Sequence, residues 1–240
     1  MAGNPPPVTR GRALKKEVLH LLRLPDVEEM VQELSRFPVR GIITPLFSFL
    51  CSSDETLKWR AVTAMGEAVA RLAGEDMESA RVIIRRLMWN LNDESGGIGW
   101  GSAEALGEIL SLHHGLAVEY AHILLSYSFE SGNFQETPSM QSGVLWGIGR
   151  LAQAEPDLAA DAAHHLPDFL QSQDPTVRGI AAWVAGLVRA SEVRPELKSL
   201  QDDDSEIPIY MNRMLIRQKV KDLCKDSMKI LDSSLKESDR

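Results

Sequence analysis

The sequence predicts an all-α fold in which about four to five antiparallel helix pairs stack side by side as a solenoid. Three observations support this prediction. A short motif centred on glycine returns four times at intervals of about 40 residues. Apolar residues recur at helical spacing between the copies, and polar segments with helix-capping residues separate successive helices.

The glycine motif predicts the second helix of each pair. Its first copy, Lys58-Trp-Arg-Ala-Val-Thr-Ala-Met-Gly66, aligns with the second, Gly99-Trp-Gly-Ser-Ala-Glu-Ala-Leu-Gly107. The same small and apolar positions precede the glycine in every copy, and they form one stripe at helical spacing. We therefore expect equivalent places in consecutive helix pairs for Gly66, Gly107, Gly149 and Gly186.

The first helix of each pair is predicted from apolar residues at helical spacing between the motifs. Each of these segments ends in a polar stretch that offers Asp, Ser or Thr as a cap for the next helix. Pro138 and Pro175 suit the first turn of such a helix. The predicted first helices span residues 42–50, 80–91, 116–127 and 158–170.

The four repeats are expected to span residues 41–190, with capping helices before them. Residues 13–23 and 26–37 both have the apolar spacing of an amphipathic helix, which makes residues 12–40 an N-terminal cap. Residues 1–11 contain three consecutive prolines and predict a disordered lead-in.

Residues 191–240 are expected to form a degenerate fifth repeat and a C-terminal helix. The predicted helices span residues 191–200, 208–223 and 225–235. An acidic run at residues 202–206 precedes several basic residues, which suits either a helix capped along its dipole or a basic strip that docks a partner. The basic residues are Arg213, Arg217, Lys219 and Lys221.

The turn Asp174-Pro-Thr-Val-Arg178-Gly-Ile-Ala-Ala resembles the inter-helix signature of HEAT repeats in its aspartate, its arginine and its alternating small residues. The first copy has a comparable Asp54 and Arg60, whereas the second has a glycine-rich turn and the third a long loop. The resemblance covers about residues 41–190. It implies a right-handed α-solenoid of HEAT-like antiparallel helix pairs, a scaffold commonly used for protein binding, and no particular chemistry.

The charge of the chain argues against a nucleic-acid partner. Its 240 residues include 26 Lys and Arg against 34 Asp and Glu, which gives a formal net charge of −8. The acidic excess falls within the repeats. Nucleic-acid binding depends on clustered Lys and Arg, so an acidic repeat body favours a basic partner instead.

Two further features of the sequence concern the location of the protein and the role of its cysteines. No apolar run approaches the roughly 20 residues needed to cross a bilayer, and the first residues lack the apolar stretch of a secretory signal. We therefore expect a cytoplasmic protein with no membrane contact. Cys51 and Cys224 lie far apart without the spacing of a zinc site, so neither a disulfide nor a metal is predicted for them.

A stripe of tryptophans is the main candidate for a functional surface. Helical phase places one tryptophan per repeat beside the glycines, and Glu104 follows Trp100 by one helical turn. Second helices line the concave face of HEAT-like stacks, and aromatic anchors beside charges are typical of binding hot spots. Tryptophan at constant phase is equally typical of packing between repeats. The candidate partner-binding residues are Trp59, Glu67, Trp100, Glu104, Glu108, Trp146, Arg150 and Trp183.

No catalytic set, cofactor motif or metal site is predicted. The pairs His113-His114 and His164-His165 are adjacent in sequence, so on a helix their side chains point about 100° apart and do not converge on one metal. Serine-hydrolase, zinc-protease and dinucleotide fingerprints do not occur in the sequence.

Two functional hypotheses remain open from the sequence. The first is a non-enzymatic interaction scaffold that binds a protein or peptide partner, possibly a basic one, through the concave tryptophan-lined helix face. The second is an enzyme similar to the DNA-alkylation-repeat glycosylases, solenoids of comparable length that hold a damaged nucleotide with tryptophans and a carboxylate. The acidic repeats argue against this alternative. The corresponding residue types would be Trp100, Glu104, Trp146 and Trp183.

Overall fold

A computed structural model of the chain describes residues 11–93 and 99–238. The lead-in predicted for residues 1–11 lies outside this range except for Gly11, which precedes the first helix. In the described part of the chain, no helix is both long enough and apolar enough to span a membrane.

The described chain consists of helices and one β-hairpin. Two short 3-10 helices, Ala160–His165 and Ser191–Val193, interrupt the outer layer near its C-terminal end. The other elements are α1 (Arg12–Leu22), α2 (Val27–Ser35), α3 (Val39–Leu50), α4 (Glu55–Glu75), α5 (Met77–Leu91), α6 (Ser102–Leu112), α7 (His114–Ser126), α8 (Pro138–Ala154), α9 (Pro156–Ala159), α10 (Leu166–Leu170), α11 (Pro175–Leu187), α12 (Arg194–Ser199), β1 (Glu206–Met211), β2 (Met214–Lys219) and α13 (Val220–Ser238).

The helices form the two layers of a solenoid. The inner helices α4, α6, α8, α11 and α13 pack against one another in that order. The outer helices α3, α5 and α7 each pack against an inner helix that is next to them in the chain, and α12 packs against α13, which follows the hairpin. The apolar core lies between the layers. This arrangement confirms the predicted solenoid of helix pairs.

Each glycine of the repeated motif lies where the next inner helix approaches. At Gly107, a Cβ would collide with the main chain of Gly147 on α8. At Gly186, it would collide with Ser227 on α13, so the same contact continues into the last pair. A side chain would force the helices apart. The glycines in this position are Gly66, Gly107, Gly149 and Gly186.

Side-chain caps form at two of the four predicted helix starts, whereas α6 follows Gly101 and the side chain of Thr137 does not cap α8. The carboxylates of Asp54 and Asp174 accept main-chain hydrogen bonds from the first turns of α4 and α11. The outer helix predicted for residues 158–170 is broken into α9, a 3-10 helix and α10. Pro167 lies in the first turn of α10, where its missing N–H is tolerated, whereas a helix continuing through it would lose a hydrogen bond.

The prediction of a helix at residues 208–223 is wrong. β1 and β2 pair there as an antiparallel hairpin with a two-residue turn, and α13 begins only at Val220. Ile207 and Ile209 are buried on one side of β1 while Pro208 between them is exposed. This period of two is that of a strand and not of a helix. The hairpin therefore lies between α12 and α13, the two helices of the last pair.

Candidate functional site

The hairpin lies across the inner helices, where Tyr210 packs against two of the predicted tryptophans. The Tyr210 ring stacks on Trp59 with centroids 4.9 Å apart and planes 8° from parallel. Trp146 Nε1 donates a 2.7 Å hydrogen bond to the main-chain oxygen of Tyr210. The Tyr210 hydroxyl lies 2.9 Å from Thr63 Oγ1. The chain's own hairpin thus covers Trp59 and Trp146, and both are buried.

Arg213 at the hairpin turn reaches α2 and α4. Its guanidinium forms ion pairs with Glu28, at 2.9 Å, and with Glu67. Asn212 and Arg213 have φ values of 50° and 61°, the positive values of a type I′ turn. Asparagine adopts this conformation readily, but for arginine it costs about 1–2 kcal/mol. The ion pairs offset this local strain.

Two aspartates fix the base of the hairpin. Asp203 accepts a 2.6 Å hydrogen bond from Arg178 Nε, and this bond lowers the pKa of Asp203 to about 2. Asp204 pairs with Lys219 and Lys221, and hydrogen bonds from these ammonium groups lower the pKa of Asp204 to about 2. Asp203 and Asp204 therefore anchor the hairpin, and the first of the two alternatives given for the acidic run, a cap on a helix at residues 208–223, is wrong.

Glu108 and Arg150 form a buried ion pair between α6 and α8. Glu108 is 4% exposed and accepts a 2.6 Å hydrogen bond from Arg150 Nε. Arg150 also donates to Ser111 Oγ and Gln153 Oε1. The charge of Glu108 is therefore compensated by a short, geometrically favourable contact.

Trp183 is packed between two repeats. Its side chain is 8% exposed, and its six-membered ring lies against Gly149, where a Cβ would collide with it. Packing between repeats was one of the two roles predicted for the tryptophans of the stripe, the other being contact with a ligand. The glycine and the indole of neighbouring inner helices fit together at this point.

Trp100 lies apart from the other tryptophans of the predicted stripe. It is 45% exposed and precedes α6, which begins only at Ser102. The prediction that Trp100 and Glu104 share a helix face is therefore wrong. The reason is Gly101, whose φ of 75° is incompatible with a right-handed helix.

Two cavities lie beside the hairpin, and Trp146 lines both of them. The first, the Glu108 cavity, has a volume of about 220 Å³, and its walls include Glu108, Arg150, Trp183 and the hairpin turn. The second, the Glu104 cavity, has a volume of about 280 Å³ and lies at the starts of α4, α8 and α11. Its walls include Glu55, Lys58, Trp59, Glu104 and Ser142.

Glu104 is a buried carboxylate in the wall of the Glu104 cavity. It is 6% exposed, and its nearest cation is Lys58, with Nζ 3.6 Å from Glu104 Oε1. The same ammonium lies 3.5 Å from Glu55 Oε2 and 4.7 Å from the centre of the Trp59 ring. Both ion-pair distances are longer than a hydrogen bond. Lys58 therefore balances charge here without a short contact to Glu104.

The similarities of this chain to known proteins provide information about its fold. No family model matches the chain. An uncharacterized protein of Archaeoglobus fulgidus is 25% identical over 182 residues, which cover 74% of this chain and 91% of that protein. An engineered protein of known structure has a TM-score of 0.53 at 16% identity, covering 91% of this chain and 96% of that one. A designed armadillo repeat protein in complex with the peptide (KR)4 has a TM-score of 0.49 at 16% identity, with 90% and 98% covered.

The similar structures include HEAT-like and armadillo repeat proteins. This chain has a HEAT-repeat-like α-solenoid fold. The stacked helix pairs described above confirm the solenoid that the resemblance around Asp174 and Arg178 implied. This fold does not indicate a particular activity or ligand, since solenoids of this kind differ in what their surfaces bind.

Two residues of α4 and two of the hairpin take part in this site but were not among the predicted site residues. The alternation around Ile207 and Ile209 followed by a polar two-residue turn is a hairpin signal, but it does not show where the hairpin docks. Residues 11–93 and 99–238 contain no group of three or more His, Cys, Asp or Glu able to hold a metal ion. The four added residues are Lys58, Thr63, Tyr210 and Arg213.

Proposed function

We propose that this protein is a non-enzymatic scaffold that binds a protein or peptide partner through its inner, tryptophan-lined helix face. One observation carries the proposal: this face already binds an extended segment, the chain's own hairpin. Trp59 stacks on a tyrosine ring, Trp146 binds a main-chain oxygen, and Glu67 binds an arginine. These are the contacts by which repeat surfaces recognise extended peptides.

Three carboxylates of the inner helices support a basic partner. Glu67, Glu104 and Glu108 all belong to the inner helices, and the hairpin supplies arginine to the first of them. Complementary charge speeds encounter and selects among partners. The partner segment proposed here therefore carries lysine or arginine.

The glycosylase-like alternative gains no support from the geometry. Trp146 is only 1% exposed beneath Tyr210, so it is not free to stack on a nucleotide. Trp100 lies outside α6 and does not share a face with Glu104. The excess of Asp and Glu over Lys and Arg in the chain also disfavours binding to a DNA backbone.

Site-specific photo-crosslinking tests the proposal. A photoreactive amino acid at Ser139, which is exposed at the wall of the Glu104 cavity, should cross-link to a protein partner in the source lysate. The matched control is Val118 on the outer helix α7, whose side chain is 55% exposed. Cross-links formed from Val118 and not from Ser139 would place binding on the outer face and contradict the proposal.

A further inference from the structure

Resting on the proposed function, we propose that the Glu104 cavity binds a basic side chain, lysine or arginine, of the partner segment. The cavity lies beside the hairpin, so a partner can enter it without displacing Tyr210. The buried carboxylate of Glu104 lines it. Carboxylates bind lysine and arginine side chains through charge-assisted hydrogen bonds.

The contacts of Glu104 leave its carboxylate able to bind a cation. A buried carboxylate is unfavourable unless it is paired and hydrogen-bonded, and Glu104 is only 6% exposed. Its ion pair with Lys58 has an N–O distance of 3.6 Å, beyond the length of a charged hydrogen bond. A guanidinium or ammonium group at hydrogen-bond distance would supply the contact that Lys58 does not.

The surrounding residues hold this carboxylate in the cavity wall. A Cβ at Gly143 would come within 2.7 Å of Glu104 Oε2, so the glycine on α8 makes room for the carboxylate. Hydroxyl-bearing side chains also line the cavity and offer acceptors for the remaining N–H groups of a cation. These are Ser139, Ser142 and Thr176.

Lys58 shows that this environment stabilises an ammonium group. Its Nζ lies above Trp59 and between two carboxylates, Glu55 and Glu104. Asp174 lines the same cavity, so the cavity wall carries three carboxylates and one ammonium group. The remaining negative charge favours a second cation over a neutral or anionic group.

The other end of the inner face uses the same chemistry with an occupant from the chain itself. There the Arg213 guanidinium lies between Glu28 and Glu67. The Glu104 cavity presents Glu55 and Glu104 in a comparable way, with Lys58 held at longer distances. We infer that the partner places a cationic group beside Glu55 and Glu104 in this cavity, as Arg213 places its guanidinium between Glu28 and Glu67 at the hairpin turn.

An NMR titration of the indole N–H signals tests the site, with N-acetyl-arginine amide as the probe and N-acetyl-glutamine amide as the neutral control. The arginine compound should cause saturable shifts of the Trp59 and Trp146 signals. The signal of Trp89, 74% exposed on α5, should not move. Equal responses to both compounds, or shifts confined to Trp89, would overturn the proposal.

Two substitutions in the cavity should act in opposite directions. Glu104→Gln preserves the shape of the side chain and should weaken binding of the arginine compound by about tenfold or more. Lys58→Met removes the resident cation and should tighten binding. Glu119→Gln, the same charge change on the outer helix α7, serves as the control and should leave binding unchanged. Wild-type affinity in Glu104→Gln, or weakening by Lys58→Met, would contradict a cation site.

Cross-linking from Ser139 separates this inference from the proposed function. If Glu104→Gln lowers the cross-linking yield and Glu119→Gln does not, both stand. If wild type cross-links to a partner and Glu104→Gln does so equally well, the scaffold function stands and the cation site is refuted. If wild type gives no cross-link while the arginine compound still shifts Trp59, the proposed partner-binding function fails, and with it the assignment of the cavity to a partner side chain.

Discussion

The part of the inner face beneath the hairpin and the Glu104 cavity beside it both contain tryptophans and glutamates. They differ in whether the polar groups of these residues have hydrogen-bond or ion-pair partners at short distance. Beneath the hairpin, Trp146 has a hydrogen-bond partner and Glu67 has an arginine, both supplied by the chain. In the cavity, the ion pair of Glu104 within residues 11–93 and 99–238 is the long one with Lys58. The difference indicates that the first region stabilises the fold and that the second is available to a ligand.

The largest expected effect comes from the part of the inner face beneath the hairpin. Trp146→Ala removes a side chain that is 1% exposed together with its hydrogen bond to Tyr210. We expect the free energy of unfolding, measured by urea denaturation, to fall by about 3–5 kcal/mol. Trp89→Ala, at a 74% exposed position, should change it by less than about 0.5 kcal/mol. Similar losses in the two variants would mean that the hairpin does not cover Trp146.

A pair of glutamates on α6 sharpens the comparison. Glu108→Gln weakens a 2.6 Å buried contact with Arg150, and should lower the free energy of unfolding by about 1–3 kcal/mol. Glu104→Gln removes a buried charge without a short contact, so its effect should be below about 1 kcal/mol. Urea denaturation of both variants measures the difference. Equal losses would show that Glu104 is as well satisfied as Glu108.

The base of the hairpin should respond to acid. The pKa of Asp203 is lowered to about 2 by its hydrogen bond from Arg178, against about 3.9 in an unfolded chain. Because the folded pKa is the lower one, this contact stabilises the fold fully above about pH 4 and is lost as the pH falls through about 2.

The stabilisation at stake is on the order of 1–2 kcal/mol for this partly solvated pair. Urea denaturation of wild type and Asp203→Asn at descending pH measures it, because the difference between the two proteins should shrink below about pH 4. A difference that is independent of pH would rule out the linkage.

The smallest expected effect concerns the hairpin turn. Arg213→Ala and Arg213→Gly both remove the ion pairs to Glu28 and Glu67, but glycine adopts the positive φ of this position without strain. Arg213→Gly should therefore be more stable than Arg213→Ala by about 1 kcal/mol. Equal denaturation midpoints for the two variants would argue against strain at the turn.

The repeat architecture was predictable because it depends on residues that lie close together in the sequence of each repeat. Gly66, Gly107, Gly149 and Gly186 recur at one helical phase, and the structure places each against the next inner helix. Caps such as Asp54 and Asp174 were readable for the same reason, since a helix start depends on a few adjacent residues.

The candidate site was less predictable because it depends on contacts distant in sequence. Packing between repeats and exposure to a ligand give the same helical phase, so the sequence did not separate the two roles of Trp146. The hairpin was missed because residues 208–223 were expected to continue the repeats as a helix, with an acidic start and basic residues such as Arg213 and Arg217 nearer its end. Its docking on Trp59 could not be deduced from residues 206–219 alone.

Solvent exchange of the indole N–H protons tests the central claim most directly, which is that the chain's own hairpin covers part of the inner face. The Trp146 proton is bonded to the Tyr210 oxygen at an N–O distance of 2.7 Å and should exchange slowly, while the proton of the exposed Trp89 exchanges quickly. Exchange of the Trp146 proton as fast as that of Trp89 would contradict the account.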